Sequence, residues 1–328
     1  MQVTITQTVD AASGIKEDGT KTPDQAATRN GPLLVVAATI LLVLTGILRT
    51  PEMGLLPPFL LMATILCAAS IPSLSALWTQ RAAIKKLSMQ QVVLIMLSAC
   101  SGSVLFSIFS MLALTPSHVI LRNLTGAMII QRLQPALLFL IAVLFLRQKP
   151  RWHEYTALAS LVGASYLGLF GFAPISTSAD GFNTASLVYS GLAICCGAIG
   201  TVTSKMAAKD INAVVLSSLR LITAAVFVLV LTAIAESHLL SFEQIGPSLL
   251  VDWWRYVIIG IVYFFSLILY YHGVKTTRVA SIAIAEAAVT VVTPLLILGV
   301  ASSASSLWTI VALALATTAI VLTARIKS

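Results

Sequence analysis

The chain has 328 residues, 58% hydrophobic and only 10% charged, with a mean hydropathy of +0.97. Soluble domains carry roughly 25% charged residues, so the composition excludes an ordinary soluble enzyme and indicates an integral membrane protein. The net charge of +8 does not indicate nucleic acid, because the basic residues sit mostly in short loops between apolar runs, where topology accounts for them.

In chain order, residues 1 to about 30 are polar and read as a disordered cytoplasmic tail, with no cleavable signal peptide evident. A bilayer core of about 30 Å needs roughly 20 apolar residues per helix. Ten spans follow, near 32–48, 55–79, 90–114, 118–146, 154–173, 184–207, 211–235, 253–273, 278–300 and 305–324. Their long Leu/Ala/Val-rich runs predict helices and lack the alternation of a membrane barrel. Connections are short, apart from 236–252.

Charge sets the orientation. With the amino terminus inside, the inner segments hold Lys16, Lys21, Arg29, Arg81, Lys85, Lys86, Arg147, Lys149, Arg151, Lys205, Lys209, Lys275, Arg278, Arg325 and Lys327. The outer loops hold only Arg49 and Arg255, and Arg122, Arg132 and Arg220 fall within spans. Both termini are therefore expected in the cytoplasm. Trp152, Trp253, Trp254 and Trp308 lie at span ends, as an interfacial aromatic belt requires.

Two prolines expose an internal repeat. Pro135 lies centrally in the fourth span and Pro294 in the ninth, and shifting the first four spans by the separation of these prolines lays them on spans six to nine. The chain divides into a first five-helix unit, 31–175, and a second, 182–325. An odd number of helices per unit inserts the second upside down. The expected fold is thus an all-α membrane protein of ten transmembrane helices in two inverted five-helix repeats, an architecture of transporters.

Several short features carry a family resemblance. Ala113-Leu114 ends the third span, Pro135 interrupts the fourth, and "LFLRQKPRWHEYTALASLVGASYLG" supplies a basic turn and a Gly-bearing fifth helix. The second half repeats the plan in "YYHGVKTTRVASIAIAEAAVTVVTPLLILGV" around Pro294. Over about 32–324 the chain resembles the drug/metabolite transporter superfamily, in its ten-helix EamA-type form. It departs from that pattern at Arg147-Gln148, where the family often has Glu-Arg. Arg220 matches an arginine common on the second helix of each repeat, but the corresponding position in the first half is Leu61. The resemblance implies a secondary transporter or exporter of small metabolites, with a central cavity between the halves.

Ionisable groups inside a bilayer are expensive and tend to be functional. Arg132 lies about 20 Å along the fourth helix, counted at 1.5 Å per residue, too deep for easy snorkelling. It is a candidate to bind a substrate carboxylate or phosphate; the structural alternative is a bond to the carbonyls that Pro135 frees. Asn123, Gln131 and Gln134 share one helical face, with Arg132 on the far side. Arg122 lies near the outer end, where it can snorkel.

Glu286, followed by Thr290 and Thr293, is read as the one acid inside a span. It is the candidate for a coupling proton or a substrate ammonium; the alternative is an internal salt bridge to Arg220 or Arg132. Arg220, flanked by Ser217 and Thr223, is a further substrate-binding candidate. Ser103, Ser107 and Ser110 form a stripe that reads first as helix packing. Tyr166, Phe170, Tyr263, Phe264, Tyr270 and Tyr271 are candidate cavity aromatics, with Tyr263 a substrate-binding candidate, and His272 reads as interfacial.

Cys67, Cys100, Cys195 and Cys196 lie in apolar segments and read as small buried residues. No Walker loop, HExxH or GxSxG is present, so neither a cofactor nor enzymatic activity is expected. The leading expectation is a multi-pass protein of the cell (inner) membrane, a monomer or homodimer. It moves amino acids or other zwitterionic or anionic solutes by alternating access with proton coupling or exchange. A flippase for an anionic lipid or lipid-linked head group is the alternative, and an intramembrane enzyme the more distant one.

Overall fold

The computed structural model describes residues 23–49, 57–114, 131, 133–170, 184–235 and 242–289, and within them every regular element is helical. The chain forms α1 (Pro23–Arg49), α2 (Pro58–Thr79), the short α3 (Arg81–Ile84), α4 (Met89–Ala99) and α5 (Phe106–Leu114). It continues as α6 (Gln134–Leu144), α7 (Trp152–Phe170), α8 (Thr184–Ala208), α9 (Ala213–Ala235), α10 (Phe242–Thr276) and α11 (Val279–Val289). Among the described residues, five stretches are long and apolar enough to cross a bilayer: Phe59–Thr79, Met89–Ala113, Thr184–Ala208, Ala213–Ala235 and Trp253–Thr276. Asn30–Thr45, Gln134–Leu144 and Val279–Val289 are shorter apolar helices on predicted spans. The tenth predicted span lies outside the described residues.

Local chemistry sets several starts. Ser88 and Gln91 form a capping box for α4, the Ser88 hydroxyl accepting from the Gln91 amide at 3.3 Å and Gln91 Oε1 accepting from the Ser88 amide at 2.8 Å. Pro135 sits in the first turn of α6, where its missing N–H leaves no helical bond unmade. Two helices begin earlier than predicted. α1 starts at Pro23, inside the stretch read as tail, where Pro followed by Asp24 suits a first turn. α10 starts at Phe242, inside the predicted connection, and the preceding Ser241 with Gln244 is a capping-box pattern.

Between α4 and α5 the helix loosens into a π-turn, Cys100–Leu105, in which the Phe106 amide reaches back to the Ser101 carbonyl. Such turns admit one extra residue and recur at functional sites.

Large apolar side chains lie on both sides of the packing. Ile71, Leu74, Val226, Val230 and Phe265 face outward, while Leu61, Leu66, Leu138 and Leu221 lie inside with alanines, serines and the charged Glu154, Arg220 and Glu286; lipid is an apolar solvent and gives leucine no reason to hide. Cys195 is exposed and Cys67, Cys100 and Cys196 are half-buried, so the expectation of four buried cysteines is corrected for the same reason. α1 packs along α10, α2 along α9 and α10, and α8 along α4, the π-turn and α5.

Candidate functional site

Four elements converge on one buried side chain. Arg220, two turns into α9, is 6% exposed. Its Nε donates to Ser103 Oγ of the π-turn at 2.8 Å, and its Nη1 donates to Ser204 Oγ of α8 at 3.0 Å and to Tyr271 Oη of α10 at 2.5 Å. The guanidinium carbon also stands 5.8 Å from the Tyr271 ring centroid, within reach of a cation–π contact.

Ser204 is the hub of this cluster. It shares a 2.6 Å hydrogen bond with Ser98, donates to the Gly200 carbonyl at 2.5 Å and lies 3.3 Å from Tyr271 Oη. The approach depends on two glycines. A Cβ on Gly102 would lie 2.6 Å from Arg220 Nη2 and 3.0 Å from the Gly200 Cα. The missing side chains let the π-turn touch α8 and leave room for the outer guanidinium nitrogen.

A second charge lies on α11. Glu286 is 8% exposed, and its Oε1 accepts from Tyr270 Oη at 2.9 Å. Tyr270 Oη also lies 3.4 Å from Thr201 Oγ1. Glu286 Oε2 has no hydrogen-bond partner among the described residues. Tyr270 and Tyr271 are neighbours on α10 with rings edge to face, centroids 5.8 Å apart. Thr201 and Ser204 are one turn apart on α8. The same two helices therefore serve both charges, yet Arg220 and Glu286 do not pair: hydroxyls hold the first and a phenol holds the second. The internal Arg220–Glu286 salt bridge weighed from the sequence is absent.

The remaining candidates are distributed. Gln134 rests against α8, its amide 2.9 Å from where a Gly197 Cβ would stand. Gln131 is half-buried with its Nε2 unpartnered among the described residues. Tyr263 is half-buried on α10. Arg132, Arg122, Asn123, Thr290, Thr293 and Pro294 lie outside the described residues. Of the serine stripe, Ser103 holds Arg220, while Ser110 has no partner among the described residues.

Sequence reasoning missed Ser98, Thr201 and Ser204, and it missed a second buried acid. Glu154, in the first turn of α7, is 1% exposed and pairs with Arg278 at 2.9 Å. A buried arginine is itself a signal for buried oxygens nearby. Ser204 lies four residues beyond Gly200 on a helix rich in small residues, which is where such oxygens can approach. Among the described residues no group of His, Cys, Asp and Glu is arranged to hold a metal.

Comparison with known proteins adds three findings. A solved structure described only as "Crystal structure of protein" matches with a TM-score of 0.67 at 19% identity, over 93% of this chain and 99% of that one. At that identity the match shows a shared fold. No curated protein matches the sequence. Residues 184–325 match the EamA-like transporter family. The chain is a multi-pass integral membrane protein whose residues 184–325 are similar to the EamA-like transporter family.

Proposed function

We propose that the protein is a secondary active transporter of small zwitterionic or anionic solutes, amino acids above all, working by alternating access in the cell membrane. One observation carries the substrate charge: Arg220 is buried, and among the described residues it is answered only by hydroxyls. A buried cation without a counter-ion is costly. A solute carboxylate supplies the missing charge, with Arg132, Gln131, Gln134, Asn123 and Tyr263 as further binding candidates. Glu286, held on one oxygen and without a hydrogen bond on the other among the described residues, is the coupling group.

The ten-helix inverted repeat is part of this reading, with Pro135 and Pro294 as the paired breaks. Exchanging spans one to four with six to nine turns the α1–α10 contact into the contact of α8 with α4 and α5, and maps α2–α9 onto itself. Those are among the main helix pairings, which supports the repeat. The basic helix ends also meet on one side. Lys205 Nζ donates to the Val274 and Lys275 carbonyls at 2.5 and 3.0 Å, and Arg278 reaches Glu154. This supports a cytoplasmic face there.

The test is uptake into proteoliposomes under an imposed pH gradient, across amino acids, organic acids, sugar phosphates and organic cations. Flux of an amino or organic acid that depends on Arg220 is expected. Flux of organic cations alone, or movement of labelled lipid with no solute flux, would overturn the proposal, the second in favour of a flippase.

A further inference from the structure

We propose that Glu154 and Arg278 form the centre of a cytoplasmic latch, which seals the polar cluster in this structure and parts when the protein opens inward. The inference rests on the alternating-access reading, but its geometry is independent of the solute. Glu154 Oε2 accepts from the Arg151 amide at 2.7 Å, the reach-back bond of an N-terminal turn. Its Oε1 accepts from Arg278 Nη2 at 2.9 Å and lies 3.4 Å from Ser281 Oγ. A third fastening comes from Gln148, whose Oε1 accepts from the Ala280 amide at 3.1 Å.

Ala280 is the second residue of α11, so its amide has no partner within that helix. Gln148 caps α11 from a distant part of the chain, and the Glu154 carboxylate lies by the positive end of the helix dipole. The turn after α6 is thereby tied to the helix that carries Glu286. The turn itself is set by Arg147, whose φ of 50° lets the Gln148 amide return to the Ala142 carbonyl at 3.0 Å.

In the repeat reading, this turn belongs to the first half and α11 to the second, and inward opening separates the halves at the cytoplasmic side. The latch lies there. Arg278 is eight residues before Glu286, about 12 Å along the helix at 1.5 Å per residue. Its strength is suited to breaking. The Arg278 side chain is 51% exposed while that of Glu154 is 2% exposed, so the arginine can swing into water. The glutamate keeps its bond to the Arg151 amide.

The experiment places a reporter thiol in the polar cluster that the latch is proposed to seal. Cys67, Cys100, Cys195 and Cys196 are replaced by alanine and Ser98, which bonds Ser204, becomes Ser98→Cys. Inside-out membrane vesicles are treated with a membrane-impermeant maleimide, and right-side-out vesicles serve as the control for the opposite face. Arg278→Ala and Gln148→Ala should each raise the cytoplasmic labelling rate about five-fold, the population shift given by about 1 kcal/mol. Arg278→Lys, which keeps the charge, should stay near the unmutated rate.

An unchanged rate in Arg278→Ala would overturn the latch. So would an equal rise from both faces, which means general loosening, or Arg278→Lys labelling as fast as Arg278→Ala. Rapid labelling without any latch substitution would also overturn it. The labelling needs no solute, so its failure leaves the transport reading intact, and failure of every flux assay leaves the labelling result intact.

Discussion

The phenol of Tyr270 donates to Oε1 of Glu286 at 2.9 Å, while the next residue, Tyr271, accepts from Arg220 at 2.5 Å. Adjacent positions on one helix thus attend opposite charges without bringing those charges into contact. The arrangement suits a protein whose charged groups must stay available to something that arrives and leaves. A direct Arg220–Glu286 pair would satisfy both and leave neither free.

The first prediction concerns Glu286. Glu286→Gln still accepts from Tyr270 but has no proton to exchange. Uptake driven by a pH gradient should fall to the level seen without a gradient, a loss on the order of ten-fold or more if the carboxylate is the coupling group. Solute exchange at equal pH should persist. Proteoliposome flux with and without a gradient checks this, and a Glu286→Gln protein that still responds fully to the gradient would remove Glu286 as the coupling group.

Arg220 separates function from stability. Replacing a buried ion with an apolar side chain of similar volume is often neutral or stabilising by about 1–4 kcal/mol, because the desolvation penalty disappears. Ser204 keeps its bonds to Ser98 and to the Gly200 carbonyl when the arginine is gone. Arg220→Met should therefore melt at or above the unmutated temperature in detergent while losing solute binding. If Arg220→Met unfolds instead, the arginine is a structural tie and the substrate assignment loses its main support.

The close approach of the π-turn to α8 gives a packing prediction. Gly102→Ala puts a methyl 2.6 Å from Arg220 Nη2 and 3.0 Å from a backbone atom of α8. Arg220 is held by three hydrogen bonds, so the overlap has no easy release, and overpacking of this kind costs about 1–3 kcal/mol. A Cβ on Gly163 or Gly191 meets nothing within 4 Å. Gly163→Ala and Gly191→Ala should be neutral or stabilising by up to about 1 kcal/mol, through helix propensity. Thermal unfolding of the three variants checks the ranking; equal midpoints would mean that the glycine crossing is looser than it stands here.

How far the site was legible follows from what a charge does to an apolar run. Arg220 and Glu286 stand out in any hydropathy reading, because nothing near them in sequence resembles them. Their partners do not stand out. Ser98, Ser103 and Ser204 look like the small residues that let membrane helices pack, and only the π-turn and the Gly102–Gly200 crossing turn Ser103 and Ser204 toward one guanidinium. Glu154 escaped because it falls on the first residue of a predicted span, where an acid is ordinarily a solvated end. Its partner Arg278 lies 124 residues away, at another such end. The helix start at Phe242 was missed because Glu243, Gln244 and Pro247 read as a connection, although Ser241 with Gln244 is a starting signal. Apolar length was readable along the chain, whereas long-range pairing of small polar residues has no sequence period.

The last prediction tests that long-range pairing directly. Ser98 and Ser204 share a 2.6 Å hydrogen bond, both hydroxyls fully buried, across 106 residues of chain. Ser204→Ala takes the partner from the Ser98 hydroxyl, and an unsatisfied buried hydroxyl costs about 1–3 kcal/mol, whereas Ser98→Ala leaves Ser204 its bonds to the Gly200 carbonyl and Arg220. Removing both eliminates the orphan. Ser98→Ala and Ser204→Ala should each destabilise, and the double variant should cost less than the two together, with a coupling of about 0.5–1.5 kcal/mol. Ser204→Ala should be the worse single change, because it also takes an acceptor from Arg220 Nη1 and leaves it on Tyr271 alone. The cycle is measured by thermal or denaturant unfolding in detergent. Simple additivity would mean that the two serines act independently and that Ser204 is not the hub of the cluster.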